Sequence, residues 1–253
     1  MNYTLKKSLG QHFLHDETVC QQIVDSLPAG VQQLLEIGPG AGAISKYLMT
    51  LPIAAYRCIE LDKEKVDYLE KTYPQLQGKI EHDDFLQAEL PFQNHFYVIG
   101  NFPYNISTQI VFRIIDWRDQ VDGVVGMFQK EVAQRIAAPH GNKEYGIMSV
   151  ITQAYYDLEY LFDVAPSSFT PPPKVVSGVI RMTRKPGAEP VQDYKKFKTF
   201  VKAAFNQRRK TLRNGLKSIL APEKLQSEIF SKRAEQLSVN DFIELYRNLY
   251  ETA

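Results

Sequence analysis

LLEIGPGAG, residues 34–42, decides how the rest of the chain is read. A short, mostly apolar run, Leu34-Leu35-Glu36-Ile37, is followed at once by Gly38, Gly40 and Gly42. Such a run reads as a strand. Glycines after it allow backbone dihedrals that a Cβ forbids and let the main chain approach a ligand closely. ISKYLM comes next with helical spacing, so strand, glycine turn and helix open a βαβ unit.

The same rhythm continues outward. AYRCIE (55–60), KIEH (79–82), FYVIG (96–100) and VDGVVGMF (121–128) read as strands. KEKVDYLEKTY, STQIVFRIIDW and KEVAQRIA between and after them read as helices. This alternation predicts a doubly wound, mostly parallel sheet. YDLEYLFDV (156–164) and KVVSGVIRM (174–182) alternate in part and read as closing strands. RKPGAEPVQ (184–192) has linker composition, and everything beyond it reads as helix. Ser238 and Asp241 have capping-box spacing ahead of FIELYRNLY. The expected organisation is an α/β domain over 1–183, a linker over 184–192 and a small helical domain over 193–253.

The chain has 253 residues, 44% hydrophobic and 23% charged, which is ordinary for a globular protein. Cys20 and Cys58 are its only cysteines, so neither a disulfide framework nor a structural zinc site is expected. With no signal-like or membrane-length apolar run, a soluble protein of the reducing cytoplasm is expected. The net charge of +1 hides an asymmetry, because residues 194–217 hold nine Lys and Arg and no acid. Removing those nine from the 30 basic residues leaves 21 against 29 acids, a balance of −8. An acidic body with one basic segment points to a polyanion met at a defined surface.

Two acids complete the glycine turn. Glu60 ends the second strand, 22 residues after Gly38, where a carboxylate can accept from ribose hydroxyls. Asp84, just past the third strand, can hold an adenine amino group, with Asp83 a bystander. Glycine, Glu and Asp at successive strand ends suggest a nucleoside site. Nicotinamide dinucleotides and S-adenosylmethionine both carry adenosine, and Ala43 keeps the dinucleotide fingerprint open. Glu36, two residues before the first glycine, favours a ligand with an ammonium group and no pyrophosphate.

Asn101-Phe102-Pro103-Tyr104 follows the fourth strand. An adenine amine is a poor nucleophile because its lone pair is delocalised into the ring. Two oxygen acceptors on its N–H groups favour a pyramidal nitrogen. The Asn101 side-chain carbonyl can be one acceptor and the main-chain carbonyl of Phe102 the other, with Pro103 fixing the turn. Tyr104 offers a stacking face, worth about 1–3 kcal/mol per base. A strong general base is unnecessary, since the proton becomes acidic once the nitrogen is alkylated.

On these residues the chain resembles the KsgA family of small-subunit ribosomal RNA adenine N6,N6-dimethyltransferases, which shares its fold with the Erm-type macrolide-resistance enzymes. The likeness runs nearly end to end, through KKSLGQHFL (6–14), LEIGPGAG (35–42), IELD (59–62), DFL (84–86), GNFPYNIS (100–107), MFQKEVAQRI (127–136), EYGIMSV (144–150), SSFTPPPKVVS (167–177), FNQRRKTLRN (205–214) and KRAEQLSVNDF (232–242). It implies a Rossmann-like class I S-adenosylmethionine methyltransferase sheet with an all-helical C-terminal domain. It further implies S-adenosylmethionine as methyl donor with no metal, and 16S rRNA within an immature small subunit as partner, met by a monomer. His12 and Leu14 are implied to touch the donor, with Gly38, Glu60, Asp84 and Asn101; Gly40 belongs to the same turn. Phe169, before the stiff Pro171-Pro172-Pro173 run, is implied to close over the target adenine opposite Tyr104. Two positions depart from the family, which commonly has Asn at His12 and Leu at Phe102.

In the basic segment, Arg209, Arg213 and Lys217 fall at i, i+4 and i+8 and predict one charged stripe on a helix. Phe205, Leu212, Leu216 and Ile219 suit its buried side. Arg208 and Lys210 add to the expected phosphate-binding set; Lys6 and Lys7 either extend it or belong to a mobile tail. An adenine amine is hidden in a duplex, so the target is expected flipped or in a loop. Two other readings stay open: an Erm-like enzyme acting on large-subunit RNA, and a non-catalytic RNA-binding or assembly factor on the same fold.

Overall fold

The computed structural model describes residues 12–187, 189–207 and 209–251. Within them the strands are β1 (Phe13–Leu14), β2 (Gln33–Ile37), β3 (Ala55–Glu60), β4 (Ile80–His82), β5 (Phe96–Asn101), β6 (Val121–Gln129), β7 (Tyr156–Val164), β8 (Phe169–Thr170) and β9 (Ser177–Arg184). The helices are α1 (Glu17–Asp25), α2 (Ser45–Leu48), α3 (Lys63–Thr72), α4 (Ser107–Asp116), α5 (Lys130–Ala137), α6 (Ile147–Tyr155), α7 (Tyr194–Phe205), α8 (Leu212–Leu216) and α9 (Val239–Tyr250). The chain divides into two compact units, 1–133 with 158–184, and 134–157 with 185–253.

In the first unit, seven strands form one sheet in the order β4-β3-β2-β5-β6-β9-β7. The pairs β2–β3, β2–β5, β3–β4 and β5–β6 are parallel, and β6–β9 is antiparallel. Leu34 and Leu35 of β2 and Val98 and Ile99 of β5 are consecutive and fully buried. Continuous apolar runs of this kind belong to strands covered on both faces. From β2 the chain builds β3 and β4 to one side, then crosses to build β5 and β6 on the other. That reversal opens a crevice at the carboxyl ends of β2 and β5, where ligands of such sheets bind.

Each local sequence explains its element. Asp16 caps α1 by accepting from the N–H groups of Thr18 and Val19, and Asp62 caps α3 by accepting from Glu64. The expected strand over 174–182 begins later, at Ser177, because its partner β6 ends at Gln129 and their pairing starts at Gln129–Ser177. The sequence reading left out α1, α6 and the two-residue strands β1 and β8, which pair through Leu14–Phe169.

In the second unit, α6 packs against α7 and α9. Residues 147–155, for which no helix was expected and which fall within the 1–183 of the expected α/β domain, group as α6 with the C-terminal helices. Edge-to-face ring pairs fill this core, among them Phe197–Tyr246, Phe200–Tyr246 and Tyr155–Tyr194. The expected capping box at α9 forms, with Ser238 Oγ accepting from Asp241 N at 3.1 Å and Asp241 Oδ2 from Ser238 N at 2.8 Å.

The continuous basic helix does not form. The helix α7 stops at Phe205 and α8 runs only from Leu212 to Leu216, so Arg209 lies in a turn and Lys217 is the cap residue of α8. Arg209, Lys210, Arg213 and Lys217 are nevertheless all exposed. The break lets α8 fold back on α7, and a Cβ at Gly215 would meet the Ala203 carbonyl oxygen at 2.9 Å. Leu212 and Leu216 are buried as expected, whereas Ile219 is 38% exposed because Leu220 takes the inward position. Lys6, Lys7 and Arg208 lie outside the described residues.

Candidate active site

A cleft of about 240 Å³ opens at the carboxyl ends of β2, β3 and β5. Its walls bring together His12, Leu14, Glu36, Gly38, Gly40, Glu60, Asp84, Asn101, Phe102, Pro103 and Tyr104.

The three glycines of the turn have different jobs. All have positive φ, +65° at Gly38, +60° at Gly40 and +84° at Gly42, which favours glycine. A Cβ at Gly38 would meet nothing within 4 Å, while one at Gly42 would meet Tyr73 at 2.7 Å and Leu69 at 3.1 Å. Gly42 therefore serves packing against α3. Gly38 and Gly40 line an open cradle.

Glu60 is buried at the turn, its Oε2 accepting from Gly40 N at 3.1 Å and its Oε1 from Asp62 N at 2.9 Å. Both bonds leave lone pairs for ligand hydroxyls. Glu36 is 1% exposed, and its Oε2 accepts from Ser45 Oγ at 2.7 Å and from the Tyr56 hydroxyl. Cys58 Sγ lies 3.9 Å from the same oxygen. Burial pushes the Glu36 carboxyl up to about 7, against the pull of these donors. Its Oε1 takes no hydrogen bond from the described residues. Asp84 is half-buried, with Oδ1 accepting from Leu86 N at 3.0 Å and Oδ2 from Gln87 Nε2 at 3.1 Å.

Asn101 ends β5, and its carboxamide has no hydrogen-bond partner among the described residues. Phe102 N donates to the Met127 carbonyl at 3.1 Å, which fixes the turn to β6. The Phe102 ring points into the core, packed on Phe128 with centroids 5.0 Å apart. Room for it comes from two glycines: a Cβ at Gly100 would lie 2.6 Å from that ring, and one at Gly126 2.5 Å. The Phe102 carbonyl takes no hydrogen bond from the described residues. The Pro103 carbonyl accepts from Ile106 N at 3.2 Å, leading into α4.

Tyr104 is half-buried, its hydroxyl 2.5 Å from Ser177 Oγ. Burial raises its phenol above the ordinary value. The ring stacks on His12, with centroids 5.6 Å apart and planes at 29°. His12 Nδ1 donates to the Pro171 carbonyl at 2.8 Å, so its side chain links Tyr104 to the proline run while the residue lines the cleft.

Phe169 is 2% exposed, belongs to the buried cluster that also holds Leu14, Cys20, Ile23 and Val164, and is not among the residues that line the cleft. Pairing of β8 with β1 turns its ring inward, since successive strand side chains take opposite faces. The sequence reading also missed Ser45 and Tyr56 around Glu36, and Ser177 behind Tyr104. Ser177 is 73 residues from Tyr104, so no local spacing could reveal it. No group of three or more His, Cys, Asp or Glu among the described residues could hold a metal, and no helix among them is long and apolar enough to cross a membrane.

A doubly wound sheet with a glycine-lined, acid-edged cleft where its strand order reverses defines a nucleoside-ligand enzyme of Rossmann-like architecture. Within that class, the chain belongs to the ribosomal RNA adenine dimethylase family, whose profile matches residues 2–251. It is 52% identical over 245 residues to "Ribosomal RNA small subunit methyltransferase A" of Cytophaga hutchinsonii, covering 95% of each chain. It is also 52% identical over 249 residues to the protein of that name from Flavobacterium johnsoniae, covering 96% of this chain and 95% of that one. Among solved structures, a dimethyladenosine transferase from Plasmodium falciparum matches with a TM-score of 0.80 at 23% identity, over 95% of this chain and 98% of that one. The 23S rRNA methyltransferase ErmE matches with a TM-score of 0.68 at 20% identity, over 92% of this chain and 98% of that one. At those identities the structural likeness is one of fold.

Proposed function

We propose that this chain transfers methyl groups from S-adenosylmethionine to N6 of two adjacent adenines in the 3′-terminal hairpin loop of 16S rRNA, dimethylating each. It acts as a cytoplasmic monomer on an immature small subunit. The observation that carries this reading is the Asn101 carboxamide, unpartnered in the described structure and set in the same cleft as Gly38, Glu60 and Asp84.

The residues present fit an adenosyl ligand. Gly38 and Gly40 give the backbone room, Glu60 keeps lone pairs for ribose hydroxyls, and Asp84 accepts from an adenine amine. Glu36 offers Oε1 to an ammonium group. S-adenosylmethionine, when bound, supplies an electrophilic methyl group on a sulfonium. Toward the substrate, the Asn101 and Phe102 carbonyl oxygens accept the two N6–H bonds and draw the nitrogen lone pair out of the purine ring. Tyr104 stacks on that ring and holds N6 in line for attack. Position and hydrogen-bond polarity provide the acceleration, with the N6 proton leaving after alkylation. The exposed Arg209, Lys210, Arg213 and Lys217 meet RNA phosphates, a contact that weakens with salt.

The test is methylation of small subunits that lack the mark, with nuclease digestion and mass spectrometry of the nucleosides. Dimethyladenosine at the two hairpin adenines is expected. Its appearance in 23S rRNA instead would assign the chain to Erm-like chemistry, and its absence from both would leave an RNA-binding factor.

A further inference from the structure

Tyr104 is a loop residue, and an exposed loop ring ordinarily samples several rotamers. This one is held at two places. Its hydroxyl meets Ser177 Oγ at 2.5 Å, and its face meets the imidazole of His12, itself tied to the Pro171 carbonyl. Ser177 is fully buried at the start of β9, where it pairs with Gln129 of β6. Its hydroxyl has no other hydrogen-bond partner among the described residues. A buried hydroxyl must find a partner, so the serine and the tyrosine need each other. Strand β9 is part of the main sheet, which makes Ser177 a fixed point against which the ring's tilt is set.

We propose that Ser177 is a positioning residue for methyl transfer, orienting the Tyr104 ring before substrate arrives. The proposal rests on the adenine methyltransferase reading above and adds to it a residue outside the cleft wall. Its physical basis is preorganisation. A ring already locked needs no ordering when the base stacks, and a purine stacked at the set tilt presents N6 along the right line. Removing the hydroxyl bond leaves the stacking area intact and releases only the angle. The loss should therefore fall on kcat rather than on KM.

The experiment is a double-mutant cycle with Ser177→Ala, Tyr104→Phe and the pair, assayed on unmethylated small subunits. Calorimetry of S-adenosylmethionine binding accompanies it. Each single variant is expected to lose roughly tenfold in kcat, the scale of one hydrogen bond, with KM for the subunit within about twofold. The pair is expected to lose no more than either single, and donor affinity to stay at the wild-type value. Losses that multiply in the pair, or a Ser177→Ala enzyme with wild-type kcat, would overturn the proposal. If Ser177→Ala fails to fold, Tyr104→Phe decides alone, because a phenylalanine fits the same space; wild-type turnover there also overturns it. A wild-type chain that makes no methyladenosine defeats the underlying reading instead, a result the cycle separates from failure of the proposal.

Discussion

The Tyr56 hydroxyl and the Ser45 hydroxyl donate to the same oxygen of Glu36, Oε2, and leave Oε1 to the cleft. Burial raises this carboxyl to about 7 from an ordinary 4.5. Between those values the unfolded chain gives up a proton that the folded chain keeps, so stability falls as pH rises through that window. The span corresponds to on the order of 3 kcal/mol. Glu36→Gln should flatten the dependence of melting temperature on pH between about 5 and about 7. An unchanged slope in the variant would show that Glu36 does not titrate there.

The same carboxyl ties donor binding to pH. An ammonium group beside Oε1 favours the ionised form, so S-adenosylmethionine should bind more tightly as pH rises from about 6 to about 8. Calorimetry in buffers of different ionisation enthalpy should register proton release for the wild type and none for Glu36→Gln. Equal proton release by both would place the coupling elsewhere.

Asn101→Ala removes the side-chain acceptor at N6 without disturbing Glu60 or Gly38. Turnover should fall about a hundredfold or more, the scale of one lost polar group in a transition state. Subunit binding should change little. Normal accumulation of dimethyladenosine by this variant would refute the proposed chemistry.

The Phe102 ring explains a tolerance that the motif alone does not. Gly126→Ala should destabilise by about 1–3 kcal/mol, because its Cβ would press on the Phe102 and Phe128 rings. Phe102→Leu shortens one of those rings and should recover part of that loss. It should not recover Gly100→Ala, whose Cβ would also lie 2.7 Å from the rigid Ile37 carbonyl oxygen. Denaturant titration of the single and double variants checks both; equal rescue would mean the ring is not the obstacle.

The basic cluster predicts a salt signature. Replacing Arg209, Lys210 and Lys217 together by Gln should lower the slope of log affinity against log salt by about 0.7–0.9 for each lost phosphate contact. Donor binding should be untouched. A triple variant with the wild-type slope would move the RNA surface elsewhere on the molecule.

Much of the architecture was legible in the chain because buried parallel strands are written locally. FYVIG is apolar without a break, LLEIG is interrupted only by Glu36, and AYRCIE matches β3 at both ends. That Gly38, Gly40, Glu60 and Asn101 line one cleft was legible for a related reason: in a doubly wound sheet the cleft opens at the strand ends, so finding the strands finds its walls. The basic stripe misled because helical spacing over 209–217 ignores the turn after Phe205, which the close approach at Gly215 depends on.

By itself the sequence determined the βαβ order, the glycine cradle and the acids at its edge, since each depends on neighbours within a few residues. Only tertiary structure decided that α6 belongs with the C-terminal helices, that Phe169 turns into the core while His12 faces Tyr104, and that Ser177 holds that tyrosine. Those outcomes follow from which distant surfaces meet and which side of a strand faces inward. Such pairings span up to 159 residues here, as between His12 and Pro171, and no local pattern encodes them.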